Sequence, residues 1–227
     1  MKPARVVVVG LGPAGVDLLL PVARTEIERV QHRFARTGRH PAVAELEAEG
    51  VTFTTFDAAY ETAVDFEALY PSISAAVVAA AHEHGEVVYA VPGHPGIAER
   101  TVGLLRDAAT GGLEVVVVPG LSFVDLALTR VGRDPMAGIH IVDAQDFVPS
   151  AAGRSGPMLI GHCINTLVMS DLKVALLDAL APTTPVVVLQ RLGLPDESVL
   201  EIPLVDLDRV VVPDHLTSVF VDAGEYA

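Results

Sequence analysis

Short apolar runs recur along this chain. Most are closed by a glycine or proline cluster that leads into a segment of helical spacing. Residues 6–9 are consecutive valines followed by Gly10-Leu11-Gly12-Pro13-Ala14-Gly15, which reads as a buried strand and its loop. The pattern then predicts a helix over 17–30, a short strand at 33–35 and a helix over 41–49 stopped by Gly50. Residues 51–56 alternate and are rich in β-formers, so a strand is expected there. A long helix follows over 66–83, closed by His84-Gly85, then a strand at 86–90 and a helix over 97–109. After the break at Thr110-Gly111-Gly112 come a strand at 113–118 and a helix over 123–131.

Beyond Gly120 the rhythm changes. Strands are expected at 139–142, 158–163, 185–190, 199–202 and 216–221, with a helix over 170–180 and a polar connection over 147–157. Strand-helix alternation in the first half implies a parallel sheet with crossovers, and the turn-rich second half implies a mixed sheet. The expected architecture is therefore α/β with two domains, residues 1–118 and 119–227. No period of about 20–50 residues is present, which argues against a repeat protein.

Composition narrows this further. Apolar residues make up 51% of the 227 and aromatics only 5%, which suits Val/Ala/Leu packing around buried parallel strands. No segment reaches the roughly 18 uninterrupted apolar residues of a membrane span. The run at residues 6–9 is too short for a signal peptide, so a soluble, cytoplasmic protein is expected. The net charge of −14 repels nucleic acid and anionic membranes at long range. Cys163 is the sole cysteine; it excludes an intramolecular disulfide and reads as a small buried hydrophobe rather than a nucleophile. The eight histidines show neither H-x-x-x-H nor H-E-x-x-H spacing, so no metal site is expected.

Candidate chemistry concentrates in the loops. Val91-Pro92-Gly93-His94-Pro95-Gly96 follows an apolar strand and feeds a helix. In open α/β sheets small ligands bind just beyond the carboxyl ends of strands. Residues 10–15 match G-x-G-x-x-G, the fingerprint of a dinucleotide fold. Pro13 removes an N–H that a phosphate cradle would use, and no acidic residue clearly ends the second strand. A dinucleotide-binding protein is therefore the weaker alternative.

Three motifs stand in order: Gly10-Leu11-Gly12-Pro13, Pro92-Gly93-His94-Pro95 and Val118-Pro119-Gly120-Leu121-Ser122. Together they resemble the tetrapyrrole (corrin/porphyrin) methylase superfamily, the class III S-adenosylmethionine-dependent methyltransferases. The resemblance is strongest to its MazG-associated branch, the methylase-like N-terminal half of YabN-type proteins. His40-Pro41-Ala42-Val43, Ile141-Val142-Asp143-Ala144, Ser170-Asp171-Leu172-Lys173, Gly193-Leu194-Pro195-Asp196-Glu197 and Asp214-His215-Leu216-Thr217-Ser218 look like that branch. Two positions depart from the family: Ala14-Gly15 stands where it usually has Gly-Asp, and His94 where the cobalamin and haem enzymes have Asp.

The resemblance implies a methyltransferase with S-adenosylmethionine folded in a cleft between the two domains. Pro13, Gly93, His94 and Ile97 would lie along the cofactor, with Ser122 and Phe123 offering a hydroxyl and an N–H. His162 and Cys163 would line the adenine side, and Leu192 and Gly193 would close it. His162 is either a structural residue or the base that deprotonates a substrate. Arg39 and His40 would receive an acidic substrate, or belong to a solvated loop. Asp171 and Lys173 read as a surface pair. A small-molecule or peptide methyl acceptor and a homodimer are implied, with an acceptor other than an ordinary porphyrin precursor expected. The alternative is a non-catalytic S-adenosylmethionine sensor working with a MazG-type nucleotide pyrophosphohydrolase. The acidic helix motifs of that hydrolase are not in this sequence, so the chain either stands alone or is one half of a longer protein.

Overall fold

The computed structural model describes residues 3–63, 65–148 and 156–222. Its two compact units are Met1–Ser122 and Phe123–Ala227.

In the first unit, strands β1 (Ala4–Gly10), β2 (Arg33–Ala35), β3 (Thr54–Thr55), β4 (Glu86–Val91) and β5 (Leu113–Val118) form one sheet in the order β3-β2-β4-β1-β5. Every pairing in it is parallel. Alternate residues of β1 and β4 serve opposite faces. Val6, Val8, Val87, Tyr89 and Val91 pack with Leu69, Ile73, Val77, Val102 and Leu105; these come from α4 (Phe66–His84) and α5 (Arg100–Ala108). Val7, Val9, Val88 and Ala90 pack with Ala23, Ile27, Val43 and Leu46, from α1 (Pro21–Arg29) and α2 (Pro41–Ala48). Burial on both faces is why these strands read as unbroken apolar runs.

Four expectations for this unit change, among them the helix expected over 97–109, which starts only at Arg100 after a Glu99 cap. The helix predicted from Asp17 starts at Pro21, because Leu20 is held extended at the N-cap and proline suits the first helical position; residues Val16–Leu18 make only a 3-10 turn. The strand predicted over 51–56 shrinks to Thr54–Thr55, since its neighbour β2 is itself short and pairs with it at two positions. The residues after it form helix α3 (Asp57–Thr62), which the pattern did not show.

The second unit opens with α6 (Phe123–Val131). Its strands are β6 (His140–Asp143), β7 (Met158–Gly161), β8 (Pro185–Gln190), β9 (Ser198–Pro203) and β10 (Thr217–Val221), in the order β6-β7-β10-β8-β9. Only β6–β7 is parallel among these pairings; the rest are antiparallel. The mixed second sheet and parallel first sheet match the architecture expected of the sequence. Met158, Ile160, Val186, Val188, Val219 and Val221 build the core with Met169, Leu172 and Leu176 of α7 (Thr166–Leu177). That helix starts at an Asn165 cap, ahead of the expected Ser170, because Asn165 Oδ1 accepts the Val168 N–H at 3.0 Å. The connection expected over 147–157 lies partly outside the described residues. No helix among the described residues is long and apolar enough to cross a membrane.

Candidate functional site

The loops after β1, β4 and β5 leave the first sheet from one edge, the carboxyl ends of parallel strands. Glycine lets their backbones touch. A Cβ on Gly10 would stand 2.5 Å from Gly93 O, and one on Gly120 2.4 Å from the same oxygen and 2.8 Å from Gly10 Cα. Gly12 and Gly93 exchange backbone hydrogen bonds of 3.3 and 2.8 Å, and Leu11 N–H donates to Val91 O at 2.9 Å. At Gly93 the situation is the reverse. Its φ is +63°, and an added Cβ would meet nothing nearer than Leu121 O at 4.0 Å. The backbone there is bare toward open space, a surface that a ligand can approach closely.

The surroundings fix this platform. His40 caps α2: its Nδ1 accepts the Ala42 N–H at 3.2 Å, which leaves Nε2 to donate to Gly12 O at 3.0 Å. Burial lowers its pKa against the opposing Gly12 hydrogen bond. Both ring nitrogens hold backbone, so His40 positions the glycine loop and is not placed to receive a substrate, contrary to expectation. Its neighbour Arg39 is exposed and pairs with Glu61. His94 folds back on its own loop, Nδ1 accepting the Gly96 N–H at 2.9 Å, and its carbonyl accepts the Ile97 N–H at 3.0 Å. Pro13 is half-buried, and Ser122 is buried at the end of the unit. The carboxylate of Glu45 reaches the Gly15 position from α2: it would lie 2.9 Å from a Cβ there and accepts the Val16 N–H at 2.7 Å.

A polar network borders the same edge. Arg36 directly follows β2, and its backbone N–H donates to Ala90 O at 2.9 Å. Its guanidinium donates to Glu99 at 2.9 Å and to Tyr60 Oη at 2.9 Å. The Glu99 side chain is 2% exposed and also accepts from Thr101 Oγ1 at 2.5 Å; Thr101 meets the buried Tyr89 hydroxyl at 3.1 Å. Burial is the largest influence on Arg36 and opposes its charge, but Glu99 and the Tyr60 and Tyr89 hydroxyls together outweigh it and hold the guanidinium firmly protonated. Burial, and then Glu99, raise the Tyr89 hydroxyl. Sequence reading missed this cluster. Its one visible sign is that Arg36 sits just past a strand's carboxyl end.

In the second unit, β6 and β7 end side by side, Asp143 opposite Gly161. Phe123 packs its ring over Gly161, where an added Cβ would meet Phe123 Cζ at 3.0 Å. His162 follows with φ +57°, and its Nδ1 lies 2.6 Å from Asp143 Oδ2. Cys163 lies wholly in the core. Burial, and then Asp143, push its thiol up to about 12, and its N–H donates to Thr217 O at 3.1 Å. Neither the thiol nor the N–H is free to hold an adenine, which corrects that expectation. Leu192 is likewise buried, and the Gly193 N–H donates to Glu197 at 2.8 Å, so Gly193 has no N–H left for a ligand. Lys173 pairs with Asp208 at 2.6 Å rather than with Asp171 as expected, because the chain returns past α7 only in the folded state.

The family model for tetrapyrrole (corrin/porphyrin) methylases matches residues 5–208. YabN of Bacillus subtilis (strain 168), an uncharacterised protein, is 33% identical over 218 residues, 96% of this chain. The chain spans 44% of that relative's length. Among solved structures, a uroporphyrin-III-C-methyltransferase from Thermus thermophilus superposes with a TM-score of 0.73 at 23% identity, covering 97% of this chain and 94% of the other. The cobalt precorrin-4 methyltransferase CbiF gives 0.76 at 16%, covering 96% and 95%. A Thermus thermophilus uroporphyrin-III C-methyltransferase complexed with S-adenyl homocysteine gives 0.69 at 18%, covering 96% and 92%. These likenesses establish a shared fold, and the match of the family model across residues 5–208 shows that the chain belongs to the tetrapyrrole (corrin/porphyrin) methylases.

Proposed function

We propose that the chain is an S-adenosylmethionine-dependent methyltransferase. The observation that carries this reading is the bare backbone at Gly93, seated on close-packed Gly10 and Gly120 at the carboxyl edge of a parallel sheet. That cradle would be filled by any side chain at Gly93, and it fits a flat, backbone-recognised ligand. When bound, S-adenosylmethionine supplies an activated methyl group on sulfur with a neutral leaving group. The residues around it therefore need to orient and desolvate more than to exchange protons. Gly93, His94 and Ile97 shape the cradle, His40 holds Gly12 beneath it, and Pro13 stiffens the turn after β1.

The test is calorimetry with S-adenosylhomocysteine. The wild type binds, and Gly93→Val does not, because a β-branched residue fills the cradle and resists a φ of +63°. Unchanged affinity in a folded variant would remove the placement, and heat from NAD instead would favour a dinucleotide site. The acceptor is a small molecule or peptide other than an ordinary porphyrin precursor, a reading supported by His94, which stands where the cobalamin and haem enzymes have a carboxylate. Methylation of uroporphyrinogen III at about one turnover per second or faster would overturn that part.

The length of the relative favours a second reading. Because the chain spans 44% of it, the domain could act beside another catalytic part, as an S-adenosylmethionine sensor for a MazG-type pyrophosphohydrolase. Binding without turnover on any acceptor, together with a change in a partner's hydrolysis rate, would select that reading. In either case we place the protein in the cytoplasm as a homodimer.

A further inference from the structure

Arg36 directly follows β2, and Glu99 ends the loop that leaves β4 at Gly93, so both stand at the carboxyl edge of the first sheet. The two partners are unequally placed. The Glu99 side chain is 2% exposed and that of Arg36 28%, whereas Arg5 and Glu86, at the amino ends of β1 and β4, are equally exposed at 27%. The Glu99 carboxylate is also fully engaged. Oε1 accepts the Thr101 N–H at 3.2 Å and the Thr101 hydroxyl at 2.5 Å, and Oε2 accepts from Arg36 Nη1 at 2.9 Å.

The guanidinium, by contrast, carries more donors than these bonds use. Nε donates to Tyr60 Oη and Nη1 to Glu99, while Nη2 bonds to nothing among the described residues. Nor is Nη2 sealed in, since the buried side-chain nitrogen without a partner among the described residues is Arg5 Nε. A buried ion pair is a weak source of stability, because the desolvation it requires offsets its attraction. What this pair does provide is orientation. Glu99 and Tyr60 Oη hold the guanidinium at two nitrogens, and its Cζ lies 5.7 Å from the Tyr60 ring centre, so little rotamer freedom is left to lose on binding. A second guanidinium is close by. Arg100 Cζ lies 5.7 Å from the Tyr70 ring centre, and Tyr70 meets Tyr60 edge-on with centroids 6.4 Å apart. Two guanidinia thus flank one pair of tyrosines in a chain of net charge −14, whose mean field repels anions everywhere that cations are not gathered.

Resting on the methyltransferase reading for the identity of the ligand, we propose that Arg36 is an anion anchor: its outward guanidinium edge, at Nη2, receives a carboxylate of the ligand bound at this sheet edge. Glu99 stays behind it as counter-ion and touches no ligand. A planar fork of N–H groups matches the two oxygens of a carboxylate, which a point charge does not. The carboxylate is either the one at the amino-acid end of S-adenosylmethionine or one carried by the methyl acceptor, and the chemistry at Arg36 is the same for both.

The probe is acetate, titrated into the whole chain at fixed ionic strength while proton–nitrogen NMR follows the arginine Nε–H signals and the Tyr60 amide. The Arg36 signal, assigned by its loss in Arg36→Lys, shifts saturably with the Tyr60 amide. The signal of Arg29, already bonded to Glu26 and Glu86, does not. Arg36→Lys leaves Glu99 a cation and so avoids an unpaired buried carboxylate, but it lacks the fork, and acetate affinity read at the Tyr60 amide falls about tenfold. No saturable shift at Arg36, or equal acetate affinity in a folded Arg36→Lys, would overturn the anchor. Saturating nucleoside then assigns the carboxylate. If S-adenosylhomocysteine abolishes the acetate shift and 5′-methylthioadenosine, which lacks the amino-acid end, does not, the anchored group is the cofactor's. If the shift survives S-adenosylhomocysteine, the anchored group is the acceptor's. Failure of the methyltransferase reading looks different: the wild type binds neither nucleoside, while the acetate shift at Arg36 is intact.

Discussion

Gly93 and Gly120 are glycines for different reasons, and the difference yields a prediction. Gly120 has no room, because a Cβ would overlap the Gly93 carbonyl and the Gly10 backbone, neither of which can rotate away. Gly120→Ala should therefore destabilise the fold by about 1–3 kcal/mol, read as a lower urea midpoint. Gly93 has room but an unfavourable φ, so its substitution should cost some stability through backbone strain and, in addition, ligand affinity. Charge predicts just as locally. Glu86 accepts from Arg29 at 2.7 and 2.8 Å and from Arg5 at 2.7 Å. The Arg29 hydrogen bond, with Arg5 adding and burial opposing, holds its carboxyl down at about 2 against an ordinary 4.5. A depressed carboxylate stabilises the fold above its ordinary pKa and loses that contribution as pH falls through the folded value. Stability should thus fall between about pH 4.5 and about pH 2. Glu86→Gln should flatten that part of the urea-midpoint profile; an identical slope in the variant would exclude Glu86 as its source. Single residues also mark what sequence reading could not reach. Glu45, Glu99 and Asp143 lie 30, 63 and 19 positions from their partners at Gly15, Arg36 and His162, separations at which no spacing rule applies.

At the scale of elements, start signals decided what could be read. Strands β1, β4, β5 and β8 are apolar runs buried on both faces or packed on a core, so their composition announces them. Helix α7 starts ahead of the expected Ser170 because Asn165 and Thr166 have loop-like composition, and only the cap hydrogen bond to Val168 makes them the helix start. Removing that cap by Asn165→Ala should cost about 1 kcal/mol, measured as a fall in Tm. No change would mean that the core contacts of Met169, Leu172 and Leu176 set the helix start alone. Helix α5 begins late for a similar reason. Glu99, which a linear reading assigns inside the helix, instead caps it, accepting the Thr101 N–H at 3.2 Å while its other oxygen holds Arg36. Strand β3 shows the opposite error, in which good β-formers at residues 51–56 had too little partner strand to pair with.

For the molecule as a whole, the outward face of α7 carries Leu167 and Val174, 69% and 60% exposed and two turns apart on one side. If the proposed homodimer buries this stripe, light scattering at micromolar concentration gives a dimer mass for the wild type and a monomer mass for Leu167→Glu with Val174→Glu. A monomeric wild type would remove the dimer. The sequence by itself determined the large divisions: α/β class, a parallel sheet followed by a mixed one, and the glycine loops after β1, β4 and β5. Each of these follows from hydrophobic periodicity or from a residue with unusual backbone freedom, and both are properties of neighbours along the chain. Only the tertiary structure decided that His40 holds Gly12, that Lys173 pairs with Asp208, and that Asp143 pairs with His162. Those roles depend on which strand ends share a sheet edge. Strand order is set by long-range burial that leaves no periodic trace in the sequence.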